Sequence, residues 1–240
     1  MLISVITCTN KLNTLEFIIN NFNKQTYKEK ELILILQHIG QGETFKKLKK
    51  EYETKNIHLY YYDDIKYNLG YCLNECVKLS KGSLIAKMDD DDYYSKFYLE
   101  HSLKQHLLSK ADISGLSLFT AYIKEWEYLG LSKNNIQKQF IKIPNYLTGG
   151  TLIINRNVFN KLSFRVDDWT VGSDDMLFCF DAISKDYKLF SRANKDYIYV
   201  RNIDLSKHTN KNSNENIKNA MQQIEMSVYY QRLIDEYIEK

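Results

Sequence analysis

The sequence predicts an α/β fold in which a mostly parallel central sheet is flanked by helices. In the first hundred residues, short apolar runs typical of buried strands alternate with segments whose apolar residues recur at helical spacing. The last of these strands, 83–88, leads directly into four consecutive aspartates, Asp89 to Asp92. Ligands of such sheets bind outside the carboxyl ends of the strands. The acidic run therefore lies where this fold places a site.

The first half predicts four strands separated by three helices. In chain order the elements are strand 2–7, a helix that Asn13 caps, strand 31–36, helix 42–54, strand 57–62, helix 69–79 and strand 83–88. Asn13 is followed by Glu16 three residues later, the spacing of a capping box. Strand 31–36 is apolar throughout, as expected for a strand buried on both faces. Gly82 supplies a stop signal for the third helix.

The second half is less regular. Ser95 is a candidate cap for a helix that runs through Ser109, and strand-like pieces follow at 114–119 and 121–126. A strand over 151–155 comes directly after Gly149 and Gly150. A helix over about 215–237 closes the chain, with Ile217, Met221, Ile224 and Val228 on one face. The simplest division is one domain, 1–212, followed by a C-terminal helix, 213–240.

Composition narrows the class of protein. The net charge is +3, from 33 basic and 30 acidic residues, which is too small to indicate a nucleic-acid binder. The four cysteines form no CxxC pair, so we expect reduced, structural thiols. No apolar stretch is long enough to span a membrane, and strand-like sequence beginning at Leu2 leaves no room for a signal peptide. We therefore expect a soluble, cytoplasmic protein, for which peripheral membrane association stays open.

The acidic run indicates a metal site. Adjacent carboxylates repel one another, and each is costly to desolvate alone. A hard divalent cation, Mn²⁺ or Mg²⁺, would relieve that repulsion because both ions take oxygen ligands. The alternative is an acidic turn that merely stops the strand. A turn needs only one or two aspartates, which favours the metal site.

The order of several short motifs resembles that of family 2 glycosyltransferases. The resemblance extends over about residues 2 to 209, and its motifs are individually weak but strong in their order. They are Ser4–Asn10, Gln25–Tyr27, Glu31–Ile35, Asn68–Gly70 with Asn74, Ile85–Tyr94, Gly149–Thr151, Gly172–Asp175 and His208–Thr209. The resemblance implies a Rossmann-like nucleotide-diphospho-sugar transferase fold of the A type. It also implies a nucleotide-binding half, 1–110, and an acceptor and catalytic half, 111–212.

The resemblance implies a metal-dependent, inverting transfer of a sugar from a nucleotide-sugar donor, most simply a UDP-sugar, to an acceptor hydroxyl. Asp89 and Asp91 correspond to the DXD motif; Asp91 would ligate the metal, and Asp89 would hold the ribose or the metal. Asp175 corresponds to the catalytic base, while Asp174 stands where the family has Glu. His208 resembles a histidine that completes the metal site in related enzymes.

Further residues are candidates on each side of the site. The family's acidic turn after the second strand is absent here, since the sequence reads Gln37-His38, so base recognition would pass to other groups. The donor-side candidates are Thr7, Thr9, Gln37, Asp64, Asn68, Lys87, Asp89 and Arg201. The acceptor-side candidates are Gly149, Gly150 and Trp169.

Plainer roles stay open for several of these residues. Asp174 and Asp175 would also suit the acidic first turn of a helix. Gly149 and Gly150 could form a simple turn, and a lone histidine such as His208 usually does nothing. Trp169 could be a core or rim residue.

Two other functions also stay open: a degenerate nucleotide-sugar binding or scaffold protein without turnover, and a nucleotidyltransferase. The loop over 9–13 contains no glycine with which to grip a triphosphate, which disfavours the latter. The acceptor could be a glycan, a lipid-linked sugar or a peptide, and the likeness favours bacterial surface polysaccharide synthesis. The apolar face of the C-terminal helix could pack on this domain or on a second subunit.

Overall fold

A computed structural model describes residues 1–64, 67–133, 136–166, 174–193, 196–202 and 213–238. Within these ranges the strands are β1 (Ile3–Thr9), β2 (Lys30–Gln37), β3 (Ile57–Tyr62), β4 (Leu84–Lys87), β5 (Tyr93–Tyr94), β6 (Ile113–Gly115), β7 (Thr120–Ile123), β8 (Tyr128–Ser132), β9 (Gln139–Phe140), β10 (Ile153–Asn155), β11 (Leu189–Ser191), β12 (Tyr197–Arg201) and β13 (Met221–Gln223). The α-helices are α1 (Leu15–Asn23), α2 (Gly42–Tyr52), α3 (Leu69–Leu79), α4 (Tyr98–Ser109), α5 (Asp174–Ser184), α6 (Asn214–Asn219) and α7 (Val228–Ile238).

The large sheet has eight strands in the order β3-β2-β1-β4-β10-β6-β11-β9. Strands β1 to β4 are mutually parallel where they pair, as predicted. Strand β10 is antiparallel to both β4 and β6, so β6 and its parallel neighbour β11 run in the same direction as β4. The carboxyl ends of six strands therefore meet at one edge of the sheet. The prediction of a mixed α/β fold with a large, mostly parallel sheet is confirmed.

Helices cover both faces of this sheet because successive residues of a strand point to opposite sides. On one face, alternate residues of β1 and β2 pack against α1 and α4 in a core that includes Val5, Leu34, Ile18 and Leu99. On the other face, the intervening residues pack against α3 and α5. Strand β2 is buried along nearly its whole length, which explains its continuous apolar sequence.

A second sheet, ordered β13-β8-β7-β12-β5, adjoins the end of β4. Its strand β5 follows the four aspartates directly and pairs antiparallel with β12. Asp92, which is 1% exposed, joins the two sheets. The Tyr197 hydroxyl donates to Asp92 Oδ2 at 2.5 Å, and the Val200 N–H donates to Asp92 Oδ1 at 3.0 Å. The acidic run is thus held at the junction between the sheets.

The single helix predicted over 215–237 is wrong. The segment forms α6, then β13, and then α7, and β13 pairs antiparallel with β8. Met221 packs against Gly130, where an added Cβ would lie 2.7 Å from Met221 Cβ. Without β13, one edge of β8 would present backbone N–H and C=O groups that have no partner. Pairing these groups stabilises a strand here more than the helical spacing of the apolar residues favours a helix. The division of the chain at residue 212 stays a prediction.

Several boundaries also differ from their predictions. Asn13 lies in a short 3-10 turn and is not the N-cap; α1 begins at Leu15, after Thr14. The Ser95 hydroxyl accepts the Phe97 N–H, and α4 begins only at Tyr98. The strand-like pieces of the second half shorten to β6, β7 and β10. The short strands β5, β8, β9, β11 and β12 were not predicted, because runs of two to five residues carry little periodicity. In the described residues, no helix is long and apolar enough to cross a membrane.

We expect Asp92→Ala to lower the free energy of unfolding by about 2–4 kcal/mol, because it removes the buried carboxylate that accepts from the Tyr197 hydroxyl and from the Val200 N–H. Asp92→Asn keeps an oxygen for Val200 and can donate to the Tyr197 oxygen, so it should cost about 1 kcal/mol or less. Urea unfolding of the two variants and the wild type checks this. Equal losses for Ala and Asn would show that Asp92 does not tie the sheets together.

Candidate active site

The site begins where β4 ends. The chain leaves β4 at Lys87 and places Asp89 at the carboxyl edge of the large sheet, beside the end of β1. The buried Lys87 ammonium donates to Asp89 Oδ1. Burial alone would lower the pKa of Lys87, but the Asp89 carboxylate outweighs it, and the pKa is raised. Lys87 is therefore a fixed positive charge under the site.

The next two aspartates share a second cation, Lys11. Its ammonium lies 3.3 Å from Asp90 Oδ1 and 3.3 Å from Asp91 Oδ2. The Thr9 hydroxyl also donates to Asp90 Oδ2 at 2.5 Å. Burial, followed by the charge of Asp91, still raises the pKa of Asp90 to about 6. The run is an electrostatically crowded oxygen cluster that binds positive charge.

The turn over Gly149 and Gly150 joins this cluster to the second acidic pair. The Gly149 N–H donates to Asp175 Oδ2 at 2.7 Å. A Cβ added to Gly150 would lie 2.7 Å from Asp89 Oδ2. The two glycines are therefore required by close approach to two carboxylates, and not only by a turn. Asp175 also acts on the pKa of Lys87 by charge. The structure thus brings Asp89, Lys87 and Asp175 into one site.

The Tyr94 hydroxyl bonds both to the acidic run and to the glycine turn. It accepts the Asp89 N–H at 2.7 Å and donates to the Gly150 carbonyl at 2.8 Å. Burial, followed by the charge of Asp89, raises the pKa of Tyr94 well above its ordinary value, so the hydroxyl keeps its proton and remains a donor. Tyr94 therefore fixes the distance between the acidic run and the glycine turn.

Asp175 lies in the first turn of α5, where a carboxylate is favoured by the helix dipole. This placement is compatible both with a structural role in the helix and with a role as base, because its second oxygen need not bond to Gly149. Helix α5 begins at Asp174, whose side chain lies outside the description, as do Trp169 and His208.

Three donor-side candidates, Thr7, Gln37 and Asp64, lie near the ends of β1, β2 and β3. Thr7 is buried, and its hydroxyl donates to the Met88 carbonyl at 3.0 Å, so it supports the acidic run from within. The Gln37 amide donates to the Asp64 carbonyl at 3.0 Å and links the ends of β2 and β3. Gln37 and the Asp64 segment thus lie together where the family's acidic turn would be.

Two donor-side candidates, Asn68 and Arg201, form hydrogen bonds within the fold. Asn68 caps α3 by accepting the Tyr71 N–H at 2.8 Å, and its amide donates to the Val166 carbonyl. Arg201 is fully buried; its guanidinium lies 3.2 Å from both Asn214 Oδ1 and the Tyr199 hydroxyl. Their direct contact with a donor stays a prediction.

Sequence reasoning missed Lys11, Tyr94 and a cluster of three tyrosines near the end of β3. Tyr67 lies between Tyr62 and Tyr71, with ring centroids 4.9 and 4.8 Å away. These three tyrosines lie across the end of β3 and the start of α3. Their spacing therefore follows neither the period of a strand nor that of a helix. Lys11 could have been suspected, since it follows β1 in a loop at the same sheet edge as the acidic run.

The side chains present fit a hard divalent cation. Asp89 and Asp91 offer carboxylate oxygens at the sheet edge, the donors that Mg²⁺ and Mn²⁺ prefer. Among the described residues, no three His, Cys, Asp or Glu side chains form a closed metal cage. A cation bound here would therefore take further ligands from outside these residues, as Mg²⁺ commonly does from substrate phosphates.

A mostly parallel sheet with helices on both faces and an acidic run at its carboxyl edge matches the A-type glycosyltransferase fold that the motifs implied. The chain belongs to glycosyl transferase family 2, whose model matches residues 4–180. This match confirms the resemblance to family 2 glycosyltransferases that the motifs indicated. None of the curated proteins matches the sequence significantly.

Solved structures share the fold at low identity. S. aureus TarS superposes with a TM-score of 0.62 at 17% identity, over 83% of this chain and 37% of TarS. TarS 1-349 in complex with UDP-GlcNAc gives 0.56 at 17% identity, over 85% of this chain and 60% of that one. The mannosyltransferase PcManGT from Pyrobaculum calidifontis, in complex with GDP-Man and Mn²⁺, gives 0.59 at 13% identity, over 84% and 57%. This chain thus spans between about a third and three fifths of these neighbours.

We expect Gly150→Ala to leave the protein folded and to weaken donor binding about tenfold or more. The added methyl would lie 2.7 Å from Asp89 Oδ2 and 2.9 Å from the Tyr94 hydroxyl oxygen, so both side chains would have to shift, and a small misplacement in a site is costly. Gly42→Ala is the matched control, because its added Cβ comes no closer than 3.4 Å, to Tyr61. Calorimetric titration with UDP and Mn²⁺ measures both. Equal affinity for the two variants would remove the close-approach argument.

Proposed function

We propose that this protein is a metal-dependent, inverting glycosyltransferase that moves a sugar from a UDP-sugar to an acceptor hydroxyl. The observation that carries the proposal is the single glycine turn that contacts both Asp89 and Asp175. A donor held by the acidic run and an acceptor held by Asp175 would then meet over this turn. Such preorganised proximity is a main source of enzymatic rate.

On the donor side, Asp89 and Asp91 would hold the Mn²⁺ or Mg²⁺, and His208 is proposed as a further ligand. When bound, the cation would neutralise charge on the departing diphosphate. Lys11 and Lys87 would add positive charge beneath and beside the phosphates, and Arg201 is proposed to contribute to the same potential. Asp89 could also hydrogen-bond the ribose.

Base recognition would fall to the ends of β2 and β3. Gln37 and the Asp64 segment offer amide and backbone groups there, and the rings of Tyr62, Tyr67 and Tyr71 offer apolar surface. The proposal of a uridine nucleotide is supported by the fold likeness to TarS 1-349, which has been crystallised in complex with UDP and with UDP-GlcNAc. The likeness to a GDP-Man complex makes guanosine the alternative base.

On the acceptor side, Asp175 would accept the proton of the attacking hydroxyl through the oxygen that Gly149 leaves free. The Gly149 N–H holds the carboxylate in place. A single displacement by that hydroxyl inverts the configuration at the anomeric carbon. Asp174 is proposed as a second catalytic residue, and Trp169 is proposed to border the acceptor. The acceptor would be a glycan, a lipid-linked sugar or a peptide, and the proposed setting is bacterial surface polysaccharide synthesis.

Removing one metal ligand should abolish metal-dependent donor binding. We expect Asp91→Asn to weaken binding of the UDP-sugar in Mn²⁺ by about 100-fold, because even groups behind the ligands are worth about 10- to 100-fold. Titration with UDP-glucose, UDP-GlcNAc, UDP-galactose, UDP and GDP, with and without Mn²⁺, measures this and identifies the donor.

Glu43→Gln, an equal change of charge at an exposed ion pair on α2, is the control and should bind as the wild type does. If the folded wild-type protein binds no nucleotide, the proposed function is wrong. Binding that does not depend on Mn²⁺ or on Asp91 would remove the metal from it.

Removing the base should separate turnover from binding. We expect Asp175→Asn to lower donor hydrolysis or transfer by roughly 10²- to 10⁴-fold while donor affinity changes little, since Asn still accepts the Gly149 N–H. Asp181→Asn, on the same helix and paired with Arg165 at the surface, is the control. A wild-type protein that binds the donor with no turnover that depends on Asp175 would instead be a nucleotide-sugar binding or scaffold protein.

A further inference from the structure

Residues 138–146, here called the edge segment, form the outer border of the large sheet. Strand β9 is the last strand of that sheet and pairs with β11. The Ile141 N–H donates to the Leu189 carbonyl at 2.9 Å, and Ile141 is buried in the core. Leu147, the residue directly after the segment, is also buried. The edge segment is therefore anchored at two points, and its other side chains are held outward.

The outward side chains are large and apolar. Phe140 is 52% exposed, Ile143 is 53% exposed and Tyr146 is 40% exposed. The Phe140 ring packs edge-on against Phe190, with 5.4 Å between centroids, so its position is set by the sheet. These three residues lie within seven positions of one anchored segment, and large apolar side chains exposed so close together in the chain mark a candidate interaction surface.

The charge of the edge segment indicates what covers it. Lys138 and Lys142 are both exposed, and residues 138–146 contain no acidic residue. Apolar side chains flanked by lysines are suited to an anionic bilayer, in which aromatic and aliphatic groups enter the headgroup region while ammonium groups contact phosphates. A neutral glycan would not use the lysines, and Ile143 offers no ring on which a sugar could stack.

The edge segment also leads into the proposed acceptor side. Tyr146 lies close enough to Asp175 for that charge, after burial, to raise the Tyr146 pKa. Three residues later, Gly149 bonds Asp175 directly. A membrane contacting the edge segment would therefore lie next to the group that receives the acceptor proton.

We propose that residues 138–146 dock on an anionic lipid bilayer, and that the acceptor is presented to Asp175 from that bilayer. The statement about the acceptor rests on the proposed function, whereas the docking itself does not. Phe140 and Ile143 enter the headgroup layer, Lys138 and Lys142 contact lipid phosphates, and Tyr146 lies between the bilayer and the site.

Co-sedimentation of the full chain with phosphatidylglycerol-containing vesicles and with pure phosphatidylcholine vesicles tests the docking. Two lysines near an anionic surface contribute about fivefold each, so the wild type should partition about 25-fold more strongly into anionic vesicles. Lys138→Gln with Lys142→Gln should remove that difference. Phe140→Ser with Ile143→Ser should lower binding to anionic vesicles about tenfold or more.

A matched control lies at the end of α4. Leu107 and Leu108 are 49% and 74% exposed and are flanked by exposed Lys104 and Lys110. They precede the start of β6, so they lie toward the sheet edge opposite the acidic run. Leu107→Ser with Leu108→Ser should leave vesicle binding unchanged. Melting temperatures close to wild type show that each variant is folded.

Equal binding to neutral and anionic vesicles, no binding, or equal losses in the edge-segment and α4 variants would each overturn the docking. Transfer to a soluble glycan or peptide that vesicles do not accelerate would overturn presentation from the bilayer. Titration with UDP and Mn²⁺ on the same samples separates the two proposals. A protein that binds the nucleotide but no vesicles keeps its proposed function, and one that binds vesicles but no nucleotide keeps only the docking.

Discussion

The mutual repulsion of four adjacent carboxylates is the constraint on which the site depends. The fold answers it by giving the carboxylates different partners: Lys87 for Asp89, Lys11 for both Asp90 and Asp91, and the Tyr197 hydroxyl with the Val200 N–H for Asp92. Asp89 and Asp92 thus have partners of their own, while Asp90 and Asp91 share one cation. Two of them remain at the sheet edge as oxygen donors, and the fourth becomes part of the core between the two sheets.

A second constraint joins the two halves of the chain. Only glycine can occupy position 150 without pushing the Asp89 carboxylate aside, and only a close backbone lets Gly149 donate to Asp175. Because Tyr94 bonds both the Asp89 N–H and the Gly150 carbonyl, a shift of either segment is transmitted to the other. The separation of the Asp89 and Asp175 carboxylates is therefore set by backbone atoms, which are stiffer than long side chains.

The smaller sheet and the edge segment both adjoin this site. Through Asp92, strand β12 supports the acidic run from below, and β12 ends at the buried Arg201. The edge segment, which leads along the chain into the glycine turn, carries apolar and basic side chains outward.

The amino-acid sequence alone determined the first half of the fold, the acidic run and the family. Strands β1 to β4 and helices α1 to α3 carry their own periodicity, because a strand buried on both faces is apolar throughout and a helix repeats every 3.6 residues. Tertiary structure decided the rest. Met221–Gln223 became a strand because β8 lay beside it, and Lys11 met Asp90 across 79 positions of the chain. Asp92 entered the core because Tyr197 and Val200 met it there. Hydrogen bonds and ion pairs between distant residues leave no local pattern, so only the folded chain reveals them.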